Sequence, residues 1–158
     1  MGTTKIASDV YKIESPIEDV YSLLSDFSKV ERLFDLAKKS GMAGNTELKG
    51  IADKIEQTRF TEEACFITVK NMGEVIVKIV EREDPKLIKL GGDGSLPFEF
   101  SLWIQLLENG PYDTRVKVTF QGELNVMMKM ILKGKLEKGI NQLGEGLTRI
   151  PYSLLKYN

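Results

Sequence analysis

Few side chains in this sequence are suited to catalysis, and histidine is absent from all 158 residues. Histidine is the commonest general base and metal ligand in proteins. Its absence excludes cysteine–histidine, serine–histidine–aspartate and histidine–zinc sites. Cys65 is the single cysteine, and we interpret it as a buried strand residue rather than a nucleophile because no histidine can activate it. A single cysteine forms no intrachain disulfide, which fits a reducing cytoplasm.

Carboxylates are the remaining candidates for acid–base chemistry, and Glu81 is the one with an unusual strand phase. Strict alternation places it on the same side as Val77 and Ile79, which turns its carboxyl group inward. An inward carboxyl near the end of a pocket has a raised pKa and can exchange a proton. The favoured alternative is a rim carboxylate paired with a neighbouring basic residue, so we assign no catalytic residue and keep Glu81 as a candidate only. Ser8, in phase with Val10, offers one hydrogen bond to a ligand or satisfies a neighbouring polar group.

Two glycines interrupt the apolar stripe of the last helix. Gly139 and Gly146 are seven residues apart, and each costs about 1 kcal/mol relative to alanine inside a helix. Either another backbone packs closely against them or they leave space for a ligand. The stripe that they interrupt consists of Leu132, Leu136, Ile140, Leu143 and Ile150.

Charge and length limit the class of protein. Basic and acidic residues number 22 and 23, and the net charge is −1, so no global field attracts the chain to nucleic acid or to an anionic membrane. No window approaches the roughly 18 apolar residues of a membrane span. We therefore expect a cytoplasmic protein with a single domain over residues 1–158, and no metal or cofactor.

The elements that must position these residues follow from hydrophobic periodicity. Residues 4–13 alternate as a strand, and capping boxes beginning at Ser15 and Ser28 predict two short helices, the second ending near Gly41. The stripe after residue 124 predicts one long helix. Between them, short turns that leave no room for crossover helices predict an antiparallel meander. Its strands are predicted near residues 54–60, 65–70, 74–82, 86–90, 98–107 and 114–123.

This order predicts an α+β domain in which a curved antiparallel sheet of seven strands wraps around a long C-terminal helix. Three segments carry a family resemblance: SPIEDVY at residues 15–21, IVERE at 79–83 and WIQL at 103–106. With the element order, they resemble the helix-grip superfamily, which includes START lipid-transfer domains, plant pollen-allergen proteins and bacterial polyketide cyclase-like proteins. The chain is most similar to the last branch.

The resemblance implies a deep pocket between the sheet and the long helix. With such a pocket, the space-making interpretation of Gly139 and Gly146 is favoured. We expect an apolar pocket, and therefore a lipid, isoprenoid, polyketide or aromatic ligand. Besides Ser8 and the two glycines, the predicted wall comprises Val10, Leu24, Leu33, Phe34, Val77, Ile79, Leu90, Phe100, Leu102, Val118, Phe120, Met128, Leu132, Leu136, Ile140 and Leu143.

The start of the last helix is both basic and rich in methionine. If Met127 and Met130 face outward, this end docks on an anionic membrane or on a partner protein beside Lys129 and Lys133; the alternative is a solvated lysine face. The favoured function is the binding or transport of a small hydrophobic molecule without catalysis. The alternatives are a cyclase, isomerase or dehydratase that uses carboxylate chemistry, and a protein-interaction or assembly factor.

Overall fold

The computed structural model describes residues 2–39, 54–71, 73–94 and 98–155. The described residues form one antiparallel sheet and four helices. The strands are β1 Gly2–Ala7, β2 Tyr11–Ile13, β3 Ile55–Phe60, β4 Ala64–Val69, β5 Gly73–Glu83, β6 Leu87–Gly94, β7 Phe100–Gly110 and β8 Asp113–Leu124. The helices are α1 Ile17–Leu24, α2 Phe27–Lys39, α3 Val126–Leu147 and α4 Tyr152–Leu155.

The strand order is β1-β8-β7-β6-β5-β4-β3, and β2 also pairs with β8. The strands from β3 to β8 therefore form the predicted meander, and β1, the first strand of the chain, lies at the sheet edge beside β8. The turn from β4 to β5 requires left-handed backbone, with φ of 65° at Asn71 and 101° at Gly73, which asparagine and glycine adopt most readily. The predicted α+β fold is confirmed, with two short helices after the first strands and one long helix near the end.

The predicted first strand is interrupted after Ala7. Between Ala7, which pairs with Thr119, and Tyr11, which pairs with Val116, the β1–β2 side contains one more residue than β8. The extra residue breaks the alternation of the two faces. Val10 lies in this irregular stretch and is 60% exposed, so its predicted inward position is wrong.

The two short helices begin without the predicted serine caps. Pro16 is the N-cap of α1 and makes no side-chain cap hydrogen bond. The α2 helix begins at Phe27, where the carboxylate of Asp26 accepts a hydrogen bond from the backbone N–H of Ser28 at 2.9 Å. Asp26 therefore takes the capping role predicted for Ser28, and the predicted stop at Gly41 lies outside the described residues.

The long helix is anchored by its C-terminal half. It begins at a cap in which the side chain of Asn125 accepts from the backbone N–H of Met128, and it packs against β8, β1 and β2. Its buried residues are Ile140, Gly144 and Leu147. None of the described helices combines the length and apolarity that a membrane crossing requires. The single domain and the cytoplasmic location stay predictions.

Candidate ligand-binding site

One row of side chains crosses the face of the sheet that packs against α1 and α3, which we call the inner face. Ile79 lies opposite Leu90, Leu90 opposite Leu102, and Leu102 opposite Phe120. Ile79, Leu90 and Phe120 are buried, whereas Leu102 is half-buried. This row forms one hydrophobic core with α1 and α3. The predicted wall residues Leu24 on α1, Ile140 on α3 and Val118 on β8 belong to the same core.

The next row along the strands is more open. Val77 lies opposite Gly92, and Phe100 lies opposite Gly122. We define the inner apolar surface as the half-buried apolar residues of strands β5 to β7 and of α3 that pack against the core, together with Phe98 just before β7. Its residues are Val77, Phe98, Phe100, Leu102 and Leu136.

Three phenylalanine rings meet at this surface. The ring centroids of Phe100 and Phe120 are 5.8 Å apart in a stacked arrangement, and those of Phe98 lie 6.3 and 6.4 Å from the other two. A Cβ atom added at Gly92 would lie 1.8 Å from the Phe100 ring, and one added at Gly122 would lie 2.8 Å from the Phe120 ring. The two strand glycines thus allow the rings to lie flat on the sheet.

The helix glycines have a different environment from the predicted one. Gly139 and Gly146 are exposed, and no atom of the described residues lies within 4 Å of a Cβ built on either. Leu143 is 39% exposed. The buried glycine is Gly144, whose Cβ would lie 2.8 Å from the Tyr11 ring. Leu136, Ile140 and Gly144, spaced four residues apart, form the row that packs against the protein. The predicted stripe combined this row with the exposed residues Gly139, Leu143 and Gly146.

The remaining predicted wall residues lie on helices α2 and α3, and those that the structure describes are half-buried. Leu33 on α2 is half-buried, and the side chain of Phe34 lies outside the described part of the structure. On α3, the half-buried residues are Met128, Leu132 and Leu136. Whether any of the predicted wall residues contacts a ligand stays a prediction.

The Ser8 hydroxyl is already used by the backbone. It donates to the carbonyl of Asp9 at 2.8 Å and accepts from the N–H of Val118 at 2.9 Å. The bond from Val118 links the residue after β1 to β8 where the alternation fails, and the bond to Asp9 is local. The structure therefore supports the alternative in which Ser8 satisfies neighbouring polar groups, since its single O–H is not available to a ligand.

The inward position predicted for Glu81 is wrong. Ile79 pairs with Leu90 and Glu81 with Lys89, so Val80 is an extra residue that forms a bulge. The bulge reverses the alternation of β5. Glu81 lies on the outer face, and Arg82, which pairs with the buried Ile88, takes the phase of the helix-covered face; both residues are exposed.

Arg82 joins the helical layer to the sheet. Its Nε and Nη2 atoms donate to the backbone carbonyl of Ser25 at 3.1 and 2.9 Å, and Nη1 and Nη2 each donate to the Glu63 carboxylate at 2.9 Å. These hydrogen bonds lower the pKa of Glu63 and raise that of Arg82. Four of the five donor hydrogens of Arg82 are used in this clamp, which the sequence did not predict.

A polar cleft of about 510 Å³ surrounds this clamp. Acidic residues outnumber basic ones in its lining, and the Arg82 guanidinium is already held by Glu63 and Ser25. The other basic residue of the lining, Lys29, donates from its Nζ to the Ser22 hydroxyl at 2.9 Å. The acidic excess therefore makes the cleft unsuited to an anionic ligand. Its lining residues are Glu18, Tyr21, Ser22, Ser25, Asp26, Lys29, Glu62, Glu63, Arg82 and Asp84.

Cys65 lies opposite Val77, on strand β4. It is buried, and loss of solvation raises the pKa of its thiol to about 11. The thiol is therefore protonated at neutral pH and unsuited to nucleophilic attack. Among the residues that the structure describes, no group of cysteine and carboxylate side chains is arranged to hold a metal ion.

Comparison with known proteins identifies the fold. No family model and no curated protein matches the sequence. Norcoclaurine synthase from Thalictrum flavum is similar in structure, with a TM-score of 0.62 and 12% identity over 94% of this chain and 86% of that one; another structure of that enzyme contains dopamine and hydroxybenzaldehyde. A START superfamily protein from Mycobacterium smegmatis has a TM-score of 0.54 and 15% identity over 93% and 100% of the two chains. Ara h 8.0201 has a TM-score of 0.51 and 11% identity over 99% of this chain and 100% of that one.

Proposed function

From the helix-grip fold of this chain, we propose that the protein binds a small hydrophobic molecule on its inner apolar surface without transforming it. The observation that carries the proposal is the change in burial across the inner face. Leu90 and Phe120 belong to a closed core, whereas Val77 and Phe100 in the next row are only half-buried. A globular domain gains stability by covering such apolar area, and a bound ligand supplies that cover.

The chemistry of the surface favours an apolar ligand with a flat part. Phe98 and Phe100 are half-buried and present ring area at this surface, while the buried Phe120 ring stacks against Phe100 from the core. Exposed ring faces and edges attract aromatic or planar unsaturated groups more strongly than their area alone provides. Leu102 and Leu136 supply aliphatic area beside them. A lipid, isoprenoid or polyketide-like molecule fits this description. Norcoclaurine synthase, whose structure contains dopamine and hydroxybenzaldehyde, is an example of small aromatic ligands bound by a protein of similar fold.

Native and denaturing mass spectrometry of the purified protein is the direct test, followed by titration of the delipidated protein with a hydrophobic fluorescent probe. Val77→Trp fills the inner apolar surface, and Val80→Trp is the matched control, because Val80 is on the same strand but 56% exposed. We expect a retained small molecule in the native spectrum. We also expect Val77→Trp to weaken probe binding at least tenfold and Val80→Trp to leave it unchanged, with both variants showing the wild-type circular dichroism spectrum.

Two results would contradict the proposal. One is a wild-type protein that retains no small molecule and binds no probe. The other is equal probe binding by Val77→Trp and Val80→Trp, since that would place the probe elsewhere.

An enzyme that uses the Glu81 carboxylate was the alternative prediction from the sequence. That alternative depended on an inward carboxyl group, and Glu81 lies on the outer face opposite Lys89. We therefore favour binding without catalysis. Glu81→Gln should leave probe affinity within twofold of the wild type, and loss of a carboxylate-dependent turnover in this variant would restore the enzyme alternative.

A further inference from the structure

The first two turns of α3 expose a group of large apolar side chains. Val126 is 78% exposed, Met127 71%, Met130 81% and Ile131 59%. These residues belong to one short stretch of a regular helix, so they form a continuous surface rather than isolated exposures. Contiguous exposed apolar area of this kind marks an interaction site in soluble proteins.

The four side chains project to one side of the helix. At about 100° per residue they occupy an arc of roughly 140°. Gly134 lies within the same arc, and no atom of the described residues lies within 4 Å of a Cβ built on it. We call this arc, formed by Val126, Met127, Met130 and Ile131, the outer apolar face.

The opposite side of the same turns faces the protein. Met128, Leu132 and Leu136 are half-buried there, and Leu136 packs against the core. The beginning of α3 therefore has two apolar sides, one directed to the interior and one to the exterior. Packing within the described structure accounts for the first and leaves the outer apolar face uncovered.

Lysines border the outer apolar face on both sides. At the same helical spacing, Lys129 and Lys133 lie beyond one edge, and Lys135 and Lys138 lie at the other. All four are exposed. Between residues 126 and 138 the sequence contains these four lysines and one acidic residue, Glu137, although the whole chain has a net charge of −1. The positive charge is thus concentrated around the exposed apolar side chains.

We propose that the outer apolar face and its lysines form a docking site for an anionic lipid bilayer. Helices that lie in the membrane interface have this arrangement, with apolar side chains entering the boundary of the acyl chains and lysines reaching the headgroups. Lysine is depleted from the centres of protein–protein interfaces. Two copies paired through this face would also bring their lysine rows together, which disfavours self-association. The charge therefore selects an anionic membrane as the occupant.

The docking site stands apart from the proposed ligand. It uses the outer side of α3, whereas the inner apolar surface uses Leu136 on the other side of the same helix. A protein that bound no small molecule would still have this face. Membrane binding and probe binding can therefore succeed or fail separately.

Vesicle flotation tests the inference. The vesicles contain about three parts phosphatidylcholine to one part phosphatidylserine, with pure phosphatidylcholine as the neutral comparison. We expect the wild-type protein to float with the anionic vesicles and to be released by high salt, because surface charges are screened. It should not float with the neutral vesicles.

Two pairs of variants distinguish the helix from the rest of the surface. Lys129→Glu with Lys133→Glu should weaken partitioning about 25-fold or more, since each basic residue near an anionic surface contributes about fivefold. The control charge reversal is Lys117→Glu on the exposed side of β8, which should have little effect. Met130→Gln should also weaken partitioning, whereas Leu107→Gln should not, although Leu107 is 67% exposed.

Three outcomes would overturn the inference. The first is a wild-type protein that does not float with anionic vesicles. The second is an equal effect of Lys117→Glu and of the double reversal on α3, which would indicate a general charge effect. The third is a dimer in light scattering that dissociates in Met130→Gln, which would identify a second copy as the occupant.

Discussion

Alanine substitution at three glycines of α3 separates packed from open positions on a single helix. At Gly139 and Gly146 a Cβ meets no atom of the described residues within 4 Å, whereas at Gly144 it lies 2.8 Å from the Tyr11 ring. The chemical change is one methyl group in each variant. Gly139→Ala and Gly144→Ala, both before the last turn, therefore differ mainly in what surrounds that group.

The expected magnitudes follow from helix propensity and packing. Alanine is favoured over glycine by about 1 kcal/mol inside a helix, so Gly139→Ala should stabilise the protein by about that amount, and Gly146→Ala, in the last turn of α3, by less. At Gly144 the same gain is opposed by overpacking of about 1–3 kcal/mol. The Tyr11 ring cannot move away freely, because its hydroxyl donates to Asn141 Oδ1 at 2.8 Å, and losing that bond costs about 1 kcal/mol. We expect a net loss of about 1–3 kcal/mol for Gly144→Ala.

Thermal and urea denaturation measure these differences. In a domain of this length, 1 kcal/mol corresponds to a Tm change of about 2–4 °C. Gly139→Ala should therefore raise the Tm, and Gly144→Ala should lower it. Probe binding should be unchanged in Gly139→Ala and Gly146→Ala. A loss of stability or of probe affinity in either variant would refute the assignment of these glycines to open space, and would restore the interpretation in which they line a cavity or a close contact.

Further predictions concern the titrating and clamping groups. Hydrogen bonds from Arg115 lower the pKa of Asp113 from 3.8 to about 2, so its contribution to stability is complete above pH 3.8 and is lost as the pH falls towards 2. Asp113→Asn should accordingly lower the urea midpoint at pH 6 and leave it unchanged near pH 2. The buried thiol of Cys65 should react with a disulfide reagent at pH 8 at least a hundredfold more slowly than free cysteine, and urea should remove the difference. Arg82→Gln should lower Tm more than Glu63→Gln, because only the arginine also holds the α1–α2 junction.

The meander could be predicted because its turns are marked by residues with specific backbone requirements. Asn71 and Gly73 adopt left-handed backbone, and the strands between such turns alternate clearly. The short α4 helix after Pro151 was missed because four residues contain too little periodicity. The capping of α2 by Asp26 was missed because two polar residues on either side of Phe27, Asp26 and Ser28, both suit the role.

Errors at the candidate site have a common physical cause. Strands β7 and β8 alternate through the site without interruption, so Leu102 and Phe120 were placed correctly. Val10 and Glu81 were placed on the wrong face because of one extra residue at each site: Val10 lies within the β1–β2 break, and Glu81 follows the Val80 bulge. An extra residue is tolerated wherever the backbone hydrogen bonds can be restored nearby. The alternation of apolar residues in a sequence does not show where such an extra residue lies.

The bulge at Val80 also affects how this chain is aligned with distant proteins of the same fold. An alignment without a gap across β5 would place Glu81 in the inward column and Arg82 in the outward one. The inner face of the sheet would then carry a carboxylate at the position of the guanidinium that binds Glu63. At identities of 11–15%, the position of this gap determines which sign of charge is assigned to the helix-covered face of β5, so the gap has to be set from the strand pairing and not from residue similarity.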